Sequence, residues 1–174
     1  GGHNGREETT TLCLIPAVRE ATTLPLIAAG GIGTGEAIFA TMALGAEGVQ
    51  IGTRFALTDE SSASDIFKEY CLRLNEGDTK LLLKKLAPTR LVTNSFRDKV
   101  EVAEARGASA EELRELLGRG RAKKGIFEGD LEEGELEIGQ VAALFRRRQS
   151  VDEVMKELLE GYRRASDKVS SFLL

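Results

Sequence analysis

The stretch LPLIAAGGIGTGEAIFATMALGAEGVQIGTRF, residues 24–55, decides the fold of this chain. It opens with an apolar run, residues 24–29, which lacks polar alternation and therefore predicts a strand buried on both faces. A helix is predicted over residues 35–44, because apolar side chains recur on one side and a glycine follows. A second apolar run, residues 48–51, predicts another strand.

Two strands joined by one helix run parallel, because such a crossover is too long for a hairpin. The first predicted strand ends in Gly30 and Gly31, and the second ends in Gly52 and Thr53. Both glycine turns therefore lie at the same edge of the sheet, where α/β proteins bind their ligands.

Composition predicts a soluble globular protein. Of the 174 residues, 41% are hydrophobic and 30% are charged. The net charge is -4 and no Lys/Arg stripe outweighs the acids, so we expect no nucleic-acid partner. No apolar run approaches the roughly 20 residues that span a bilayer, and we expect no membrane partner. Cys13 and Cys71 lack CxxC spacing, which favours free thiols and a cytoplasmic location.

Beyond residue 60 the pattern is mostly helical. Residues 77–94 fit a strand or a helix, because three consecutive leucines suit both and a proline interrupts them. The acidic run at residues 130–137 predicts a solvated loop rather than a metal site. Helices are predicted at residues 11–22, 64–74, 99–105, 109–117 and 150 to about 166, the last two with capping boxes.

The two glycine turns predict a phosphate site. Each presents unhindered backbone N–H groups at a strand end, and Thr53 adds a hydroxyl donor. A phosphate monoester accepts such donors, and (β/α)8 barrels build this kind of site after their seventh and eighth strands. The alternative is a pair of tight βα turns whose glycines only satisfy geometry. The run at residues 31–35 has the spacing of neither a dinucleotide fingerprint nor a P-loop.

His3 is the only histidine, so a His-based zinc site is not available and we predict no metal site. A lone histidine near a terminus is usually incidental. The flanking glycines, however, leave room for a flat ligand beside the imidazole, and a pKa of about 6.5 suits proton transfer. His3 is therefore the candidate catalytic residue.

Three segments resemble one family in their order and spacing: GGHNGREETTT (residues 1–11), PLIAAGGIGTGEA (25–37) and GAEGVQIGTRF (45–55). They are similar to the C-terminal half of the FMN-dependent nitronate monooxygenases, formerly 2-nitropropane dioxygenases, and of the related enoyl-acyl-carrier-protein reductase II enzymes. A later segment, GRAKKGIFEGDLEEGELEIGQVAALF (120–145), resembles the C-terminal region of the reductase branch.

The resemblance implies a (β/α)8 barrel with FMN at the carboxyl ends of its strands. By motif, Gly30, Gly31, Gly52 and Thr53 would bind the FMN phosphate, with Gln50 on the adjoining strand. The flavin supplies the electron transfer, and the protein positions it.

The resemblance also implies the reaction. His3 would take the acidic α-proton in nitronate oxidation, or orient substrate and assist protonation in a reductase. We expect an FMN-dependent oxidoreductase that reduces enoyl thioesters on acyl carrier protein with NADH or NADPH in fatty-acid synthesis. Nitronate oxidation with O2 is the alternative. A non-catalytic phosphate-binding half-domain, or another phosphate-binding barrel enzyme such as one acting on a sugar phosphate, are the alternatives of other classes.

The expected fold is the C-terminal portion of a (β/α)8 TIM barrel with a helical C-terminal extension. Residues 1–75 would be the incomplete barrel and residues 76–174 the extension packed on it. A complete barrel needs about 250 residues. We therefore expect the chain to be part of a longer, homodimeric protein, and to bind FMN weakly or not at all by itself.

Overall fold

The computed structural model describes residues 9–172, which form an α/β structure with a parallel βαβ unit followed by a longer, mostly helical part. In chain order the elements are α1 (Thr11–Ala21), β1 (Ile27–Ala29), α2 (Gly35–Ala43), β2 (Gly48–Gln50), α3 (Thr53–Ala56), α4 (Asp65–Cys71), β3 (Thr79–Leu82), β4 (Thr89–Val92), α5 (Ser95–Ala105), α6 (Ala110–Leu117), a π-helical turn (Lys123–Phe127), a 3₁₀ helix (Gln140–Leu144) and α7 (Val151–Ser171).

The parallel pair predicted around the central stretch is present. Ile27 lies opposite Gly48 and Ala29 lies opposite Gln50, with α2 as the crossover. The expectation that β1 is buried on both faces is wrong: Ala28 is 4% exposed, but Ile27 is 57% exposed. Successive side chains of a strand point to opposite faces, so Ala28 lies on the packed face while Ile27 and Ala29 lie on the face that stays exposed in residues 9–172.

Residues 77–94, for which the sequence pattern fits either a strand or a helix, contain an antiparallel hairpin. Thr79 of β3 lies opposite Val92 of β4. All three consecutive leucines, at positions 81–83, are buried, although side chains alternate between faces along a strand. Leu81 and Leu82 point to opposite faces of β3, and both are buried. Leu83 follows the end of β3, and its φ of 58° places it in the left-handed region. The backbone turn lets its side chain join the same apolar cluster as Leu82.

Helix α7 packs across α2, so the end of the chain returns to the βαβ unit. The two helices approach closely at Gly35, where an added Cβ would collide with the α7 backbone at Leu158 and Tyr162. Phe39 of α2 meets the Tyr162 ring edge-on, with the ring centroids 5.7 Å apart. The glycine is needed at this crossing because any side chain would force the helices apart.

The acidic run at residues 130–137 differs from the solvated loop that its charge predicted. Its first part is a turn in which Asp130 accepts hydrogen bonds from the backbone N–H groups of Glu132 and Glu133. Its last part runs beside β4: the Val92 N–H donates to the Leu136 carbonyl oxygen at 2.9 Å. Leu136 is therefore buried in the core. The sequence did not indicate this burial, because apolar and acidic residues alternate over only a few positions here.

Candidate functional site

The strand register brings the two glycine turns to one edge. Ala29 and Gln50 form the last pair of the parallel ladder, so the residues that follow each strand emerge side by side. Gly30 and Gly31 have φ values of 97° and 73°, a left-handed conformation that favours glycine. The Thr11 hydroxyl donates to the Gly30 carbonyl oxygen at 2.9 Å, which fixes the first turn against α1.

The second turn leaves open space at the same edge. Gly52 is exposed, and a Cβ placed on it would meet no protein atom within 4 Å. Gln50, the last residue of β2, is exposed as well. Ligand atoms can therefore approach the backbone here without displacing protein.

The Thr53 side chain is placed by the distant part of the chain. Its Oγ1 accepts a hydrogen bond from the Gly139 N–H at 3.1 Å. A hydroxyl accepts and donates at the same time, so this contact leaves the Thr53 proton for a ligand oxygen. The 3₁₀ helix that starts at Gln140 packs on α3 and holds this contact in place.

Arg54, which the sequence did not single out, contacts the first turn at Gly33, near the end of the connection that runs from Gly30 to the start of α2 at Gly35. It is only 6% exposed, and its Nη1 donates to the Gly33 carbonyl oxygen at 2.7 Å. On the other side its Nη2 forms an ion pair with Glu157 and lies 3.3 Å from Gln149 Oε1. The guanidinium carbon is 5.0 Å from the centroid of the Phe145 ring. Sequence reasoning missed Arg54 because the Gln149 and Glu157 contacts span about a hundred positions.

Glu157 is held as a carboxylate in this arrangement. Partial burial raises the pKa of Glu157, but hydrogen bonds from Gln149 and Arg54 outweigh it, and the pKa is lowered overall. Gln149 Nε2 donates to Glu157 Oε1 at 2.6 Å. The side of the site that faces α7 is therefore a charged, hydrogen-bonded cluster.

The first turn is also confined by apolar side chains. A Cβ placed on Gly33 would lie 2.7 Å from Phe145 Cζ and 2.8 Å from Val141 Cγ2. Both residues belong to the segment that follows Gly139. The turn is thus packed between Arg54 and this segment, and its shape depends on both.

Five of the six predicted site residues lie in the described part of the chain. The turns at Gly30, Gly31, Gly52 and Thr53 lie together, with Gln50 at the end of the adjoining strand. The candidate catalytic residue, His3, lies outside the described residues. Across residues 9–172, no three His, Cys, Asp or Glu side chains are grouped as a metal ion would require. The same part of the chain contains no helix that is long and apolar enough to cross a membrane.

Cys71 and Glu135 are buried away from this edge. Cys13 and Cys71 are both free thiols, as the sequence predicted. Burial raises the pKa of Cys71 to about 12. Burial, followed by the charge of Glu137, raises the pKa of Glu135 to about 7. Neither group lies among the contacts described for the glycine turns.

Two solved structures share this fold over nearly the whole chain. FabK from Thermotoga maritima is 32% identical with a TM-score of 0.90, and the match covers 98% of this chain and 54% of that chain. Nitroalkane oxidase from Streptomyces ansochromogenes is 28% identical with a TM-score of 0.76, and the match covers 97% and 50%. The chain thus spans about half the length of these structures.

The fold is α/β, and comparison with known sequences identifies the family. A probable nitronate monooxygenase from Staphylococcus saprophyticus is 38% identical over 112 residues, which is 58% of this chain and 31% of the relative. The model of the family described as nitronate monooxygenase matches residues 1–161. The chain therefore belongs to the nitronate monooxygenase family. This confirms the family that the glycine motifs predicted.

Proposed function

We propose that the full-length protein is an FMN-dependent oxidoreductase and that the two glycine turns bind the FMN phosphate. The observation that carries this proposal is the parallel register, which brings Gly30 and Gly31 beside Gly52 and Thr53 at one sheet edge. Backbone N–H groups and a threonine hydroxyl are donors that suit a phosphate. Gln50, exposed at the end of β2, is the side chain that would extend this contact.

The geometry fits the group. The space in front of Gly52 accepts a phosphate oxygen, because a Cβ there would meet nothing within 4 Å. Thr53 keeps its hydroxyl proton, since its oxygen accepts from Gly139. When bound, the flavin would supply the redox chemistry, and these residues would hold its phosphate end.

We also propose that residues 1–75 correspond to the last βα units of a (β/α)8 barrel and that residues 76–174 form an extension on it. An apolar groove of about 530 Å³ beside β2 supports this proposal. It is bordered by Val49 and Ile51 of the β2 segment and by the exposed side chains of Met155 and Leu159 of α7. Strands and helices of a complete barrel would cover such a groove, since a large exposed apolar surface marks a contact with another element or partner.

The reaction that we favour is reduction of an enoyl thioester carried by acyl carrier protein, with NADH or NADPH as reductant. Residues 120–145 support it through their resemblance to the reductase branch. The similarity to FabK, with a TM-score of 0.90 against 0.76 for nitroalkane oxidase, points the same way. His3 is the proposed residue that orients substrate or assists protonation.

Nitronate oxidation is the second candidate, because the relative from Staphylococcus saprophyticus carries the description probable nitronate monooxygenase. In this reaction His3 would take the acidic α-proton of the substrate. The two candidates share the proposed FMN site and differ in substrate and oxidant.

One pair of assays distinguishes them. The full-length protein is mixed anaerobically with NADH or NADPH and a crotonyl thioester, and separately with an alkyl nitronate and O2. We expect oxidation of the nicotinamide that depends on the thioester. Oxygen consumption with the nitronate and no thioester reduction would replace the first candidate by the second.

Absence of both activities and of bound flavin would favour a phosphate-binding module without chemistry. The role of His3 is tested by His3→Ala in the same protein. We expect turnover to fall by about a hundredfold or more, as for loss of a proton-transfer group. Unchanged turnover in this variant would remove His3 from the mechanism.

A further inference from the structure

We propose that Arg54 is a positioning residue that holds the first glycine turn in the shape that binds the flavin phosphate. This inference rests on the proposed function, because its ligand is the phosphate end of FMN. Arg54 acts through the backbone of the turn, since its side chain is buried and its described hydrogen bonds go to protein atoms.

The guanidinium joins the two turns directly. Arg54 follows Thr53 of the second turn in the chain, and its Nη1 reaches the carbonyl oxygen of Gly33, 21 positions earlier, at 2.7 Å. A hydrogen bond from a charged donor is roughly twice as strong as one between neutral groups. This short, buried contact therefore links the two turns in addition to the parallel ladder of β1 and β2.

The opposite side of the same guanidinium is anchored by the last third of the chain. Nη2 forms an ion pair with Glu157 of α7 and lies 3.3 Å from Gln149 Oε1. The Phe145 ring lies against the guanidinium, with 5.0 Å between its centroid and the guanidinium carbon. Because an arginine fork is planar and rigid, anchoring one side orients the other side toward Gly33.

The turn is confined on its second side as well. Val141 and Phe145 leave no room for even a methyl group on Gly33. The Arg54 hydrogen bond holds the Gly33 carbonyl oxygen, while Val141 and Phe145 pack against Gly33 itself. The shape of the phosphate turn is thereby coupled to residues about a hundred positions later.

The test compares two flavins. Riboflavin has the ring and the ribityl chain of FMN but lacks the phosphate, so the ratio of the two dissociation constants reports on the phosphate end only. For Arg54→Met in the full-length protein, we expect FMN affinity to fall by about tenfold and riboflavin affinity to stay within about twofold, measured by flavin fluorescence. An unchanged ratio would overturn the proposal.

A matched control removes a neighbouring charge. Arg147 also binds Glu157, with Nη2 3.0 Å from Oε1, but it is exposed, and none of its described contacts is to a glycine turn. Arg147→Met should therefore leave the ratio of dissociation constants unchanged. If Arg147→Met lowers the preference for FMN as much as Arg54→Met does, then positive charge alone sets the phosphate affinity. That result would contradict the role proposed for the Arg54 guanidinium.

Two further variants separate geometry from charge and from folding. Arg54→Lys keeps the charge but cannot contact Gly33 and Glu157 together, so it should recover little of the FMN preference. Full recovery would overturn the proposal.

If Arg54→Met does not fold, Glu157→Gln serves instead, because Glu157 is half-exposed and Arg54 stays in place. It should lower the FMN preference by about threefold, and no change would contradict the anchoring by α7.

Measurements on the wild-type protein distinguish failure of the proposed phosphate site from failure of the proposed role of Arg54. Equal affinity of the wild type for FMN and riboflavin would contradict the proposed phosphate site itself. A clear wild-type preference for FMN that persists in Arg54→Met would leave that site standing and would reject only the role of Arg54.

Discussion

Gly52 and Gly33 differ in what a side chain would meet, although both lie in the glycine turns. A Cβ on Gly52 enters open space, whereas one on Gly33 meets Val141 and Phe145. Glycine at position 52 is therefore not required by packing, and its φ of -95° suits any residue. Space for a ligand atom is therefore present at position 52, as the proposed phosphate site requires.

For Gly52→Ala we expect the free energy of unfolding to change by less than about 0.5 kcal/mol, because no protein atom is displaced. We expect FMN affinity to fall by about tenfold, because the added methyl group occupies the space of a phosphate oxygen. Urea unfolding and flavin titration of the full-length protein measure the two quantities. A variant that binds FMN as tightly as the wild type would exclude Gly52 from the site.

Cys13 and Cys71 should react very differently with a thiol reagent. Cys71 is 0% exposed and burial raises its pKa to about 12, whereas Cys13 is exposed on α1. We expect iodoacetamide at pH 8 to modify Cys13 in the native protein and Cys71 only after unfolding. Mass spectrometry of the peptides reads this out, with Cys13→Ser as the control. Equal labelling of both thiols in the native state would contradict the packing around α4.

At the scale of elements, the crossing of α2 and α7 depends on Gly35. A Cβ there would collide with the α7 backbone, which cannot move as a flexible side chain would. We expect Gly35→Ala to destabilise the protein by about 2–3 kcal/mol in urea unfolding, as overpacking does. Gly52→Ala is the matched glycine control. A stability equal to the wild type would mean that α7 does not pack on α2 as described.

The buried Glu135 makes the free energy of unfolding depend on pH, and its raised pKa determines the direction of this dependence. Its pKa is raised to about 7 in the folded protein, above the ordinary value of 4.5, by burial and then by Glu137. A raised carboxyl pKa contributes stability at low pH, and this contribution is lost as pH rises from about 4.5 to about 7. The free energy of unfolding should thus fall over this range by about 1–2 kcal/mol from this group.

Glu135→Gln should remove this part of the pH dependence, because glutamine has similar size and does not ionise. Exposed Glu132, three positions earlier, provides the control: Glu132→Gln should keep the wild-type pH profile. Urea unfolding at pH 5 and pH 8 compares the three proteins. An unaltered pH profile in Glu135→Gln would contradict the burial of this carboxyl group.

For the molecule as a whole, features formed by residues close together in the sequence were predicted correctly, whereas contacts between distant segments were not predicted. Ser109 and Ser150 form capping boxes with Glu112 and Glu153, as the spacing predicted, because all partners lie within one helical turn. The parallel pair was also predictable, since its apolar runs and glycines flank a single helix. These features need no knowledge of the rest of the chain.

The hairpin at β3 and β4 could not be distinguished from a helix, because the buried leucines at positions 81–83 are consecutive and show no polar alternation. The burial of Glu135 was not predicted either. Its neighbours Leu136 and Ile138 pack in the core, and Glu135 is therefore buried beside them. Arg54 was missed because Gln149 and Glu157 lie about a hundred positions away. Of the candidate site, the glycine turns were readable from the sequence, but the contacts that hold them were not.

The central claim is that the edge formed by Gly30, Gly31, Gly52 and Thr53 binds the phosphate end of FMN. It is tested most directly by measuring the dissociation constants of FMN and riboflavin for the wild-type, full-length protein under the same conditions. We predict that FMN binds at least about tenfold more tightly, because only FMN carries the charged phosphate oxygens that the donors of the two turns would bind. Equal affinity for the two flavins would contradict the claim.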